Sequence, residues 1–259
     1  MKKKLSIYGC TGSIGNSTFK LFKKKDKFYK FYILTGYKNY KKIKFLIRRY
    51  KPTFFVIFDD KTYIKIKKEK FNYNVKILNS KEYSDYKFKK SDTSILAIPG
   101  IAGLAPTLKA IELSKKVLIA NKESVICGWD LISKLIKKNK VKILPLDSEH
   151  FSIMNLINET NKRNIEKIYL TASGGPFLNY TQKKMRSIKP SQAINHPKWK
   201  MGKKISVDSA TMMNKIFEVI EANKLFSIDL KQIDILIHPQ SLVHAIIKYK
   251  NGLYKFLYF

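Results

Sequence analysis

The sequence predicts an α/β protein in which an N-terminal parallel-sheet domain, residues 1–147, precedes an α+β domain, residues 148–259. Three observations indicate this organisation. Short apolar runs alternate with helix-like segments in the first half, which is typical of βαβ units. After about His150 the pattern changes to single strands, helices and a loop rich in Gly and Pro. Hydrophobic residues make up 44% of the 259 residues, which is enough to bury a substantial core.

The first domain is predicted to contain seven strands and three helices. The strands are Leu5–Tyr8, Phe31–Leu34, Phe54–Ile57, Val75–Leu78, Ser94–Ile98, Val117–Ala120 and Val141–Leu146. The helices are Ile14–Lys25, Tyr40–Tyr50 and Ala105–Ser114. Because each helix follows a strand, the sheet is expected to be mostly parallel.

The second domain is predicted to begin with a helix at Phe151–Glu159. Two strands follow, Ile168–Thr171 and Ile233–His238, and a helix at Thr211–Phe226 lies between them. The residues "ISVDSA" directly before that helix are predicted to form a strand that ends in a polar junction. The last residues, "HAIIKYKNGLYKFLYF", predict a hairpin with Asn251–Gly252 as its turn.

The charge of the chain is strongly positive, with 52 Lys and Arg against 19 Asp and Glu. Such a charge is compatible with a nucleic-acid or acidic-membrane partner. However, only four of the 52 basic residues are Arg, which is the usual choice for bidentate contacts to phosphate and bases. The lysines are spread along the chain, and Ile, Phe, Tyr and Asn are also abundant, which is typical of a coding bias toward A and T. We therefore predict no specific nucleic-acid partner and, without a long apolar run, no membrane partner.

A glycine-rich turn follows the first strand in "IYGCTGSIGNSTFKLF", as Gly9-x-x-Gly12-x-x-Gly15. Glycines allow the backbone to approach a pyrophosphate closely, and the N-terminus of the next helix supplies free N–H groups. This position favours a Rossmann-like dinucleotide site. The spacing differs from the usual G-x-G-x-x-G, so an ordinary tight turn remains an alternative.

The end of the second strand predicts the type of dinucleotide. NAD sites usually carry Asp or Glu there, which binds the ribose hydroxyl groups. Here the strand ends in "ILTGYKN", so that Lys38 and Asn39 follow Gly36 and no acid is present. A cation at this position favours NADP.

Three polar residues, Asn121, Lys122 and Glu123, follow the strand Val117–Ala120 in "VLIANKESVI". Ligands of open α/β sheets bind at the carboxyl ends of the strands. The three side chains are therefore candidates for ligand contacts, and a polar turn before a helix is the alternative.

Two carboxylates, Asp147 and Glu149, lie one residue apart in "ILPLDSEHFS". In an extended backbone they point to the same face. Two carboxylates about 4 Å apart repel each other by roughly 4 kcal/mol at an effective dielectric constant near 20. A proton, a Lys or a metal must offset this repulsion, and oxygen ligands suit Mg²⁺ or Mn²⁺. Alone, the pair is also compatible with a solvated turn.

The helix predicted in "TMMNKIFEVIEA" offers an amide, a cation and a carboxylate on one face, from Asn214, Lys215 and Glu218. Ser209 lies just before it. A simple Lys215–Glu218 salt bridge is the alternative interpretation, and Glu221 is a second choice for the acidic role.

Two further segments carry candidate ligand contacts. Ser173 begins the turn "SGGPF" after a strand, which is typical of an anion-binding turn. His196, Trp199, Met201 and Gly202 lie on a loop that could close over a ligand. His238 and His244 flank "PQSLV", and we expect them to be structural.

Together these motifs resemble one family, the 1-deoxy-D-xylulose 5-phosphate reductoisomerases of the non-mevalonate isoprenoid route. The resemblance rests on "GCTGSIGNST", "ANKES", "LPLDSEH", "SGGPF", "HPKWKMGKKISVDSATMMNK" and "LIHPQS". It extends over nearly the whole chain, and the segment from His196 to Lys215 is its most specific part.

The resemblance implies a set of site residues. The expected cofactor contacts are Thr11, Gly12, Ser13, Ile14, Gly36, Lys38, Asn39, Asn121, Glu123 and Gly202, with Met201 beside them. The expected metal ligands are Asp147, Glu149 and Glu218. The expected substrate contacts are Lys122, Ser148, Glu149, Ser173, His196, Trp199, Ser209, Asn214, Lys215 and Glu218. Of these, Lys122, Glu149, His196 and Lys215 are expected to be catalytic.

The resemblance also implies a reaction. NADPH and a divalent metal (Mn, Mg or Co) would serve the isomerisation and reduction of 1-deoxy-D-xylulose 5-phosphate to 2-C-methyl-D-erythritol 4-phosphate. The substrate is thus a small phosphorylated sugar, and a cytoplasmic homodimer in a bacterial or endosymbiont-like cell is expected. Family members continue into a C-terminal helical domain, so the second domain is expected to be truncated at its C-terminal end. An inactive relic of the enzyme, or another NADP-dependent dehydrogenase, remains the alternative. Ala172 also stands where the family usually has Gly.

Overall fold

The computed structural model describes residues 2–22, 28–157, 161–197 and 202–258. The chain divides into two compact units, Met1–Pro145 and Leu146–Phe259. The boundary predicted from the sequence lies two residues later, after residue 147.

The first unit contains a seven-stranded sheet in which every pairing is parallel, with the strand order β4-β3-β2-β1-β5-β6-β7. The α/β fold class and all seven predicted strands are confirmed, with ends that differ from the predicted ones by at most two residues. The strands are β1 (Lys3–Tyr8), β2 (Tyr29–Gly36), β3 (Phe54–Ile57), β4 (Lys76–Leu78), β5 (Thr93–Leu96), β6 (Lys116–Ile119) and β7 (Lys142–Pro145).

Six α-helices connect these strands: α1 (Ser13–Phe22), α2 (Tyr40–Tyr50), α3 (Asp60–Lys67), α4 (Ser80–Asp85), α5 (Leu104–Glu112) and α6 (Lys122–Asn139). The predictions of α1, α2 and α5 are confirmed, although the predicted end of α1 beyond Phe22 lies outside the described residues. The sequence did not predict α3, α4 and α6. α4 has only six residues, begun by a capping box between Asn79 and Glu82, and α6 is interrupted at Gly128 by non-helical backbone angles.

The central strands of the first unit are buried on both faces, which is typical of parallel strands between helices. All four residues of β3 are buried, and Leu5, Ile7 and Leu34 are fully inaccessible. The strand order places β1 between β2 and β5, so the chain changes direction across the sheet at β1. Ligands of open parallel sheets bind at such a point, outside the carboxyl ends of the strands.

The second unit contains a four-stranded mixed sheet with the order β11-β10-β8-β9. Its elements are α7 (Ser148–Leu156), β8 (Ile165–Ala172), α8 (Gln182–Met185), α9 (Pro190–Ala193), α10 (Lys203–Ala210), α11 (Met213–Phe226), β9 (Ile233–Ile237), β10 (Val243–Tyr249) and β11 (Tyr254–Tyr258). One face of the sheet forms a core with α7 and α11, in which Ile168, Leu170 and Ile247 contact Ile153 and Ala222.

The predicted hairpin is confirmed, since β10 and β11 pair antiparallel and Gly252 in their turn has φ +84°. The strand predicted for "ISVDSA" is wrong, because these residues lie in α10. Ile205 and Val207 alternate as in a strand, but both are about 40% exposed, so the alternation reflects no sheet burial. Instead, the Ser206 hydroxyl donates to the Gly202 carbonyl oxygen at 3.1 Å, one helical turn back.

The helix predicted as Phe151–Glu159 starts earlier, at Ser148, and ends earlier, at Leu156, because the backbone at Ile157 is extended; residues 158–160 lie outside the described residues. Among the described residues, the structure contains no helix that combines the length and the apolarity needed to cross a bilayer.

Candidate functional site

The glycine-rich turn of the first unit leaves room for a pyrophosphate. Gly9 has φ +81°, and a Cβ there would lie 2.9 Å from the Ala97 carbonyl carbon and oxygen. A Cβ at Gly15 would overlap the backbone of Cys10, whereas one at Gly12 would meet only the Gly9 oxygen, at 3.5 Å. The turn leads directly into α1, whose first turn carries no acidic residue. The N-terminal end of the helix dipole is positive, and no acidic side chain in the first turn neutralises it. Together with the open backbone of the turn, this positive end suits the pyrophosphate of a dinucleotide.

The end of β2 is held beside this turn. The Gly9 N–H donates to the Thr35 hydroxyl at 2.9 Å, and the Cys10 N–H donates to the Thr35 carbonyl oxygen at 2.9 Å. Gly36 ends the strand, and the exposed Lys38 and Asn39 follow it. The Asn39 side chain caps α2, which leaves the Lys38 ammonium group as the exposed cation predicted for an adenosine phosphate.

The side chain of Asn121 has a structural role that the sequence did not predict. Its side chain is 2% exposed, and its Oδ1 accepts a 2.6 Å hydrogen bond from the Ser124 N–H at the start of α6. Its Nδ2 donates to the carbonyl oxygens of Ile98 and Gly100, the latter at 2.9 Å. The amide thus ties the segment after β5 to α6. Its predicted contact with the cofactor stays a prediction, as do those of Lys122 and Glu123, which lie half-buried in the first turn of α6.

In the second unit, Asp147 and Glu149 lie at the start of a helix, so the predicted same-face arrangement along a strand is wrong. β7 ends at Pro145, and Asp147 is the N-cap of α7, where its Oδ1 accepts a 2.8 Å hydrogen bond from the His150 N–H. A capping carboxylate satisfies a helix N–H that would otherwise lack a partner, which explains why the strand stops there. Ser148 donates to Glu149 Oε2 at 2.8 Å.

A buried lysine connects Glu149 to α11. Lys215 Nζ lies 2.7 Å from Glu149 Oε1 and 2.6 Å from Glu218 Oε2. Asn214 Nδ2 donates to the other oxygen of Glu218 at 2.6 Å. Burial alone would lower the pKa of Lys215, but the charges of Glu218 and Glu149 outweigh it and hold that pKa above its usual value. The predicted shared face of α11 is confirmed, and the salt bridge considered as its alternative is present as part of a larger cluster.

His150 connects α7 to α11. Its ring is fully buried, with Nδ1 at 2.7 Å from Asp147 Oδ1 and 3.4 Å from Glu221 Oε2. Its Nε2 lies 3.0 Å from the Glu218 carbonyl oxygen. Burial opposes the charged ring, but Asp147, and then Glu221 and Glu218, raise the pKa of His150 to about 10. The ring is therefore an imidazolium at neutral pH.

This arrangement supports the predicted metal site in part, because Glu149 and Glu218 share one cation, whereas Asp147 is grouped within 4.8 Å with His150 and Glu221 instead. The predicted ligands Glu149 and Glu218 already surround a cation, the Lys215 ammonium group, and Asp147 is joined to the helix of Glu218 through His150. Carboxylate oxygens are the donors that Mg²⁺ and Mn²⁺ prefer. Asp147, His150 and Glu221 also bring three potential ligand atoms within 4.8 Å of one another. We favour the carboxylate set, because its donors are all oxygens, which Mg²⁺ and Mn²⁺ prefer.

The predicted phosphate contacts lie around the turn after β8. Ser173 Oγ is 3.1 Å from His196 Nε2, and Gly174 and Gly175 follow with φ of +88° and +70°. A Cβ at Gly175 would lie 2.7 Å from the Ser209 carbonyl oxygen, so the turn rests on the end of α10. Burial lowers the pKa of His196, which favours its neutral form.

The remaining predicted positions are Gly202, Trp199 and Met201. Gly202 is the exposed N-cap of α10, whereas Trp199 and Met201 lie outside the described residues. His238 is structural as predicted, because its Nε2 accepts from the Leu242 N–H at 3.1 Å.

The sequence did not single out His150, and it ranked Glu221 second. The available signal was their spacing, because each lies three residues after a predicted ligand, Asp147 or Glu218, on a helix.

Comparison with known proteins gives consistent matches. The family profile for 1-deoxy-D-xylulose 5-phosphate reductoisomerase matches residues 5–128, and the profile for the C-terminal domain of the same enzyme matches residues 143–226. The 1-deoxy-D-xylulose 5-phosphate reductoisomerase of Pelagibacter ubique is 48% identical over 98% of the chain, and that of Clostridium kluyveri is 40% identical over 96%. The chain spans 66% of the length of each of these two relatives.

Solved structures give the same result. A crystal structure of DOX-P reductoisomerase with NADPH, fosmidomycin and magnesium superposes with a TM-score of 0.90 at 37% identity, covering 99% of this chain and 66% of that one. The enzyme of Zymomonas mobilis with NADPH superposes with a TM-score of 0.89 at 34% identity, covering all of this chain and 67% of that one.

Proposed function

Because the chain belongs to the 1-deoxy-D-xylulose 5-phosphate reductoisomerase family, we propose that it converts 1-deoxy-D-xylulose 5-phosphate to 2-C-methyl-D-erythritol 4-phosphate with NADPH and a divalent metal. The relatives named above are bacterial proteins, and the proposed location is the cytoplasm. The single observation that carries the proposal is the buried cluster of Glu149, Lys215 and Glu218, since it joins a cation-binding carboxylate pair to a residue suited to hold a phosphate.

The metal is proposed to be held by Asp147, Glu149 and Glu218. When bound, the metal supplies a Lewis acid for the substrate's hydroxy-ketone oxygens and NADPH supplies a hydride. The chain itself positions the carboxylates near one another, because Asp147 caps α7 and Glu218 is buried on α11, with 1% exposure. Ligands positioned in this way would hold the metal where negative charge develops on the substrate.

The substrate phosphate is proposed to bind between the Ser173 turn and the helix junction at Ser209. The neutral His196 and the Ser173 hydroxyl, 3.1 Å apart, offer hydrogen bonds without adding charge. Asn214 and Lys215 begin α11 next to that junction and contribute an amide and an ammonium group. Holding the phosphate away from the reacting carbons uses binding energy to orient them.

The cofactor is proposed to bind along the carboxyl edge of the first sheet. Its pyrophosphate would lie against Thr11, Gly12, Ser13 and Ile14, with the adenosine end at Gly36, Lys38 and Asn39. Asn121, Glu123 and Gly202 are proposed nearer the nicotinamide, and Lys122 and Trp199 as substrate contacts. Support comes from the open turn at Gly12 and from the exposed cation at Lys38.

The decisive test is NADPH oxidation, followed by absorbance, with 1-deoxy-D-xylulose 5-phosphate and Mg²⁺ or Mn²⁺. We expect turnover that a chelator abolishes and added metal restores. Glu149→Gln should lose at least about 100-fold in kcat, because the variant keeps the shape but loses a charged ligand. Glu166→Gln removes an exposed carboxylate that pairs with Lys248 on the sheet of the second unit, and it should retain activity.

A well-folded protein that binds NADPH and metal but gives no turnover would favour the inactive relic. Turnover of another substrate that survives the chelator would favour a metal-independent dehydrogenase.

A homodimer is proposed through the outer face of the second sheet. Among the described residues β11 is an edge strand, and its Tyr254, Phe256 and Tyr258 are 51%, 55% and 70% exposed on one face. Ile246 lies opposite Phe256 in the register and continues this apolar surface onto β10. An edge strand with an exposed aromatic face favours pairing with a second copy of itself.

Light scattering after size exclusion tests this proposal. We expect a dimer for the unmodified protein and a shift toward monomer for Phe256→Glu. A monomeric unmodified protein at tens of micromolar would contradict it.

A further inference from the structure

We propose that Lys215 is the internal counter-cation of the carboxylate cluster, and that it must leave its position between Glu149 and Glu218 when the divalent metal binds. This inference rests on the metal site of the proposed function. It adds that cation binding at this site is an exchange of one cation for another.

The geometry supports a direct competition. Lys215 Nζ contacts Glu149 Oε1 at 2.7 Å and Glu218 Oε2 at 2.6 Å, so it occupies oxygens that the proposed metal site requires. Lys215 is 6% exposed, and Glu218 is 1% exposed. A buried ammonium group and a divalent cation would repel each other strongly at such distances, because water screens their charges little. The two cations therefore exclude each other at these oxygens.

The same contacts involve the proposed phosphate site. Asn214 and Lys215, the two residues of α11 assigned to the phosphate, both contact the carboxylate of Glu218. Asn214 Nδ2 donates to Glu218 Oε1 at 2.6 Å, and Lys215 Nζ contacts Glu218 Oε2. Turning Glu218 toward a metal releases an amide donor and an ammonium group together. These two groups then become available to an anion at the start of the helix.

It follows that the metal and the substrate phosphate assist each other's binding. Such assistance is reciprocal, because an effect of one ligand on the affinity of the other must hold in both directions. The structure assigns Glu218 as the element with two states, held by Asn214 and Lys215 in one and by the metal in the other.

The test measures Mn²⁺ binding without substrate, by electron paramagnetic resonance of the free ion. The variant Lys215→Met keeps the length and apolar stem but removes the competing charge. We expect it to bind Mn²⁺ about tenfold more tightly than the unmodified protein, within the ~5- to 150-fold range typical of coupled sites. Lys215→Arg keeps a cation and should stay close to the unmodified affinity. The control Lys44→Met removes a lysine that pairs with Glu69 at 2.7 Å in the first unit, and it should leave Mn²⁺ affinity unchanged.

Loss of Lys215 leaves buried carboxylates without their cation, so Lys215→Met is expected to unfold at a lower temperature without metal. For this reason Tm is measured with and without Mn²⁺, and Lys215→Gln serves as a second variant. We expect the Mn²⁺-induced rise in Tm to be larger in both variants than in the unmodified protein. An equal or smaller rise, or unchanged or weaker Mn²⁺ affinity, would overturn the inference while leaving the metal site itself intact. Failure of the unmodified protein to bind Mn²⁺ would overturn the proposed metal site and this inference together.

The phosphate side is tested with inorganic phosphate as the probe, by titration calorimetry corrected for pairing of Mg²⁺ with phosphate. We expect saturating Mg²⁺ to raise phosphate affinity by about fivefold or more in the unmodified protein. The effect should shrink in Lys215→Met, since that variant has no ammonium group to release. Phosphate affinity that does not depend on Mg²⁺ would contradict the coupling.

Discussion

Among single residues, His150 offers a pH-dependent test of the cluster. Its folded pKa of about 10 lies above the ordinary value of 6.5, because burial is outweighed by Asp147, Glu221 and Glu218. A group with a raised folded pKa contributes stability below its unfolded pKa and loses it as pH rises through the folded value. In metal-free protein, this contribution is therefore expected to be complete below about pH 6.5 and lost by about pH 10, with a slope of at most about 1.4 kcal/mol per pH unit.

The measurement is chemical unfolding at several pH values in the presence of a chelator, for the unmodified protein and for His150→Gln. The difference between the two unfolding free energies should shrink as pH rises through that window. Parallel pH profiles would show that His150 carries no such charge.

Asn121 gives a second residue-level prediction. Asn121→Ala removes the cap of α6 and both donors to the Ile98–Gly100 segment, so unfolding should become easier by about 1–3 kcal/mol. Asn121→Asp keeps an oxygen for the cap but turns a carboxylate toward two carbonyl oxygens, and it should also destabilise the protein. Denaturant titration measures both variants, and a change below about 0.5 kcal/mol in either would contradict this structural role.

At the level of elements, the start of α1 depends on close packing against the turn before it. A Cβ at Gly15 would overlap the Cys10 backbone, so Gly15→Ala must push α1 away from the turn. We expect a loss of about 1–3 kcal/mol in stability and weaker NADPH binding. Gly12→Ala is the matched control for stability, because its Cβ would meet only the Gly9 oxygen at 3.5 Å. Calorimetric Tm values and fluorescence titration with NADPH measure the two effects, and equal Tm values for both variants would contradict the packing argument.

The sequence correctly predicted the strands and helices whose hydrophobic pattern reflects burial. It was wrong where local hydrogen bonds determine whether a segment is a strand or a helix. Apolar runs such as Phe54–Ile57 lie in the core of the sheet and were recognised. "ISVDSA" alternates apolar and polar residues but forms α10, because hydroxyl and backbone bonds one turn apart favour the helix over a sheet partner. Likewise, Asp147 was placed at the end of a strand, although capping by its carboxylate makes it the start of α7.

The candidate site shows the same limit. Motif spacing was enough to group Asn214, Lys215 and Glu218 on one face of a helix. It could not show that Lys215 reaches Glu149, 66 positions earlier, or that His150 bridges α7 and α11. Those contacts depend on how two helices pack, and helix packing is not encoded in the spacing within either of them.

For the whole molecule, the net charge of +33 predicts a dependence on salt. Raising ionic strength from about 0.01 M to about 0.15 M shortens the screening length from about 30 Å to about 8 Å. The Kd for NADPH, an anion, should therefore rise over this range, as followed by fluorescence titration. A neutral osmolyte at the same osmolality should leave it unchanged. Any binding to DNA should be blind to sequence and disappear over the same range, and DNA binding that persists at the higher salt would contradict the proposed absence of a nucleic-acid partner.

The buried cluster around Lys215 has a genetic consequence. Glutamate and lysine codons differ only at their first base, so one substitution of G by A converts Glu149, Glu218 or Glu221 into a lysine. At an exposed position, such a change adds one more solvated ammonium group to the many that the chain already carries. At Glu218 it would place a second ammonium group beside a buried one, where neither has water to solvate it. A glutamate-to-lysine change at Glu218 is therefore expected to destabilise the fold, whereas the same change on the surface should be tolerated.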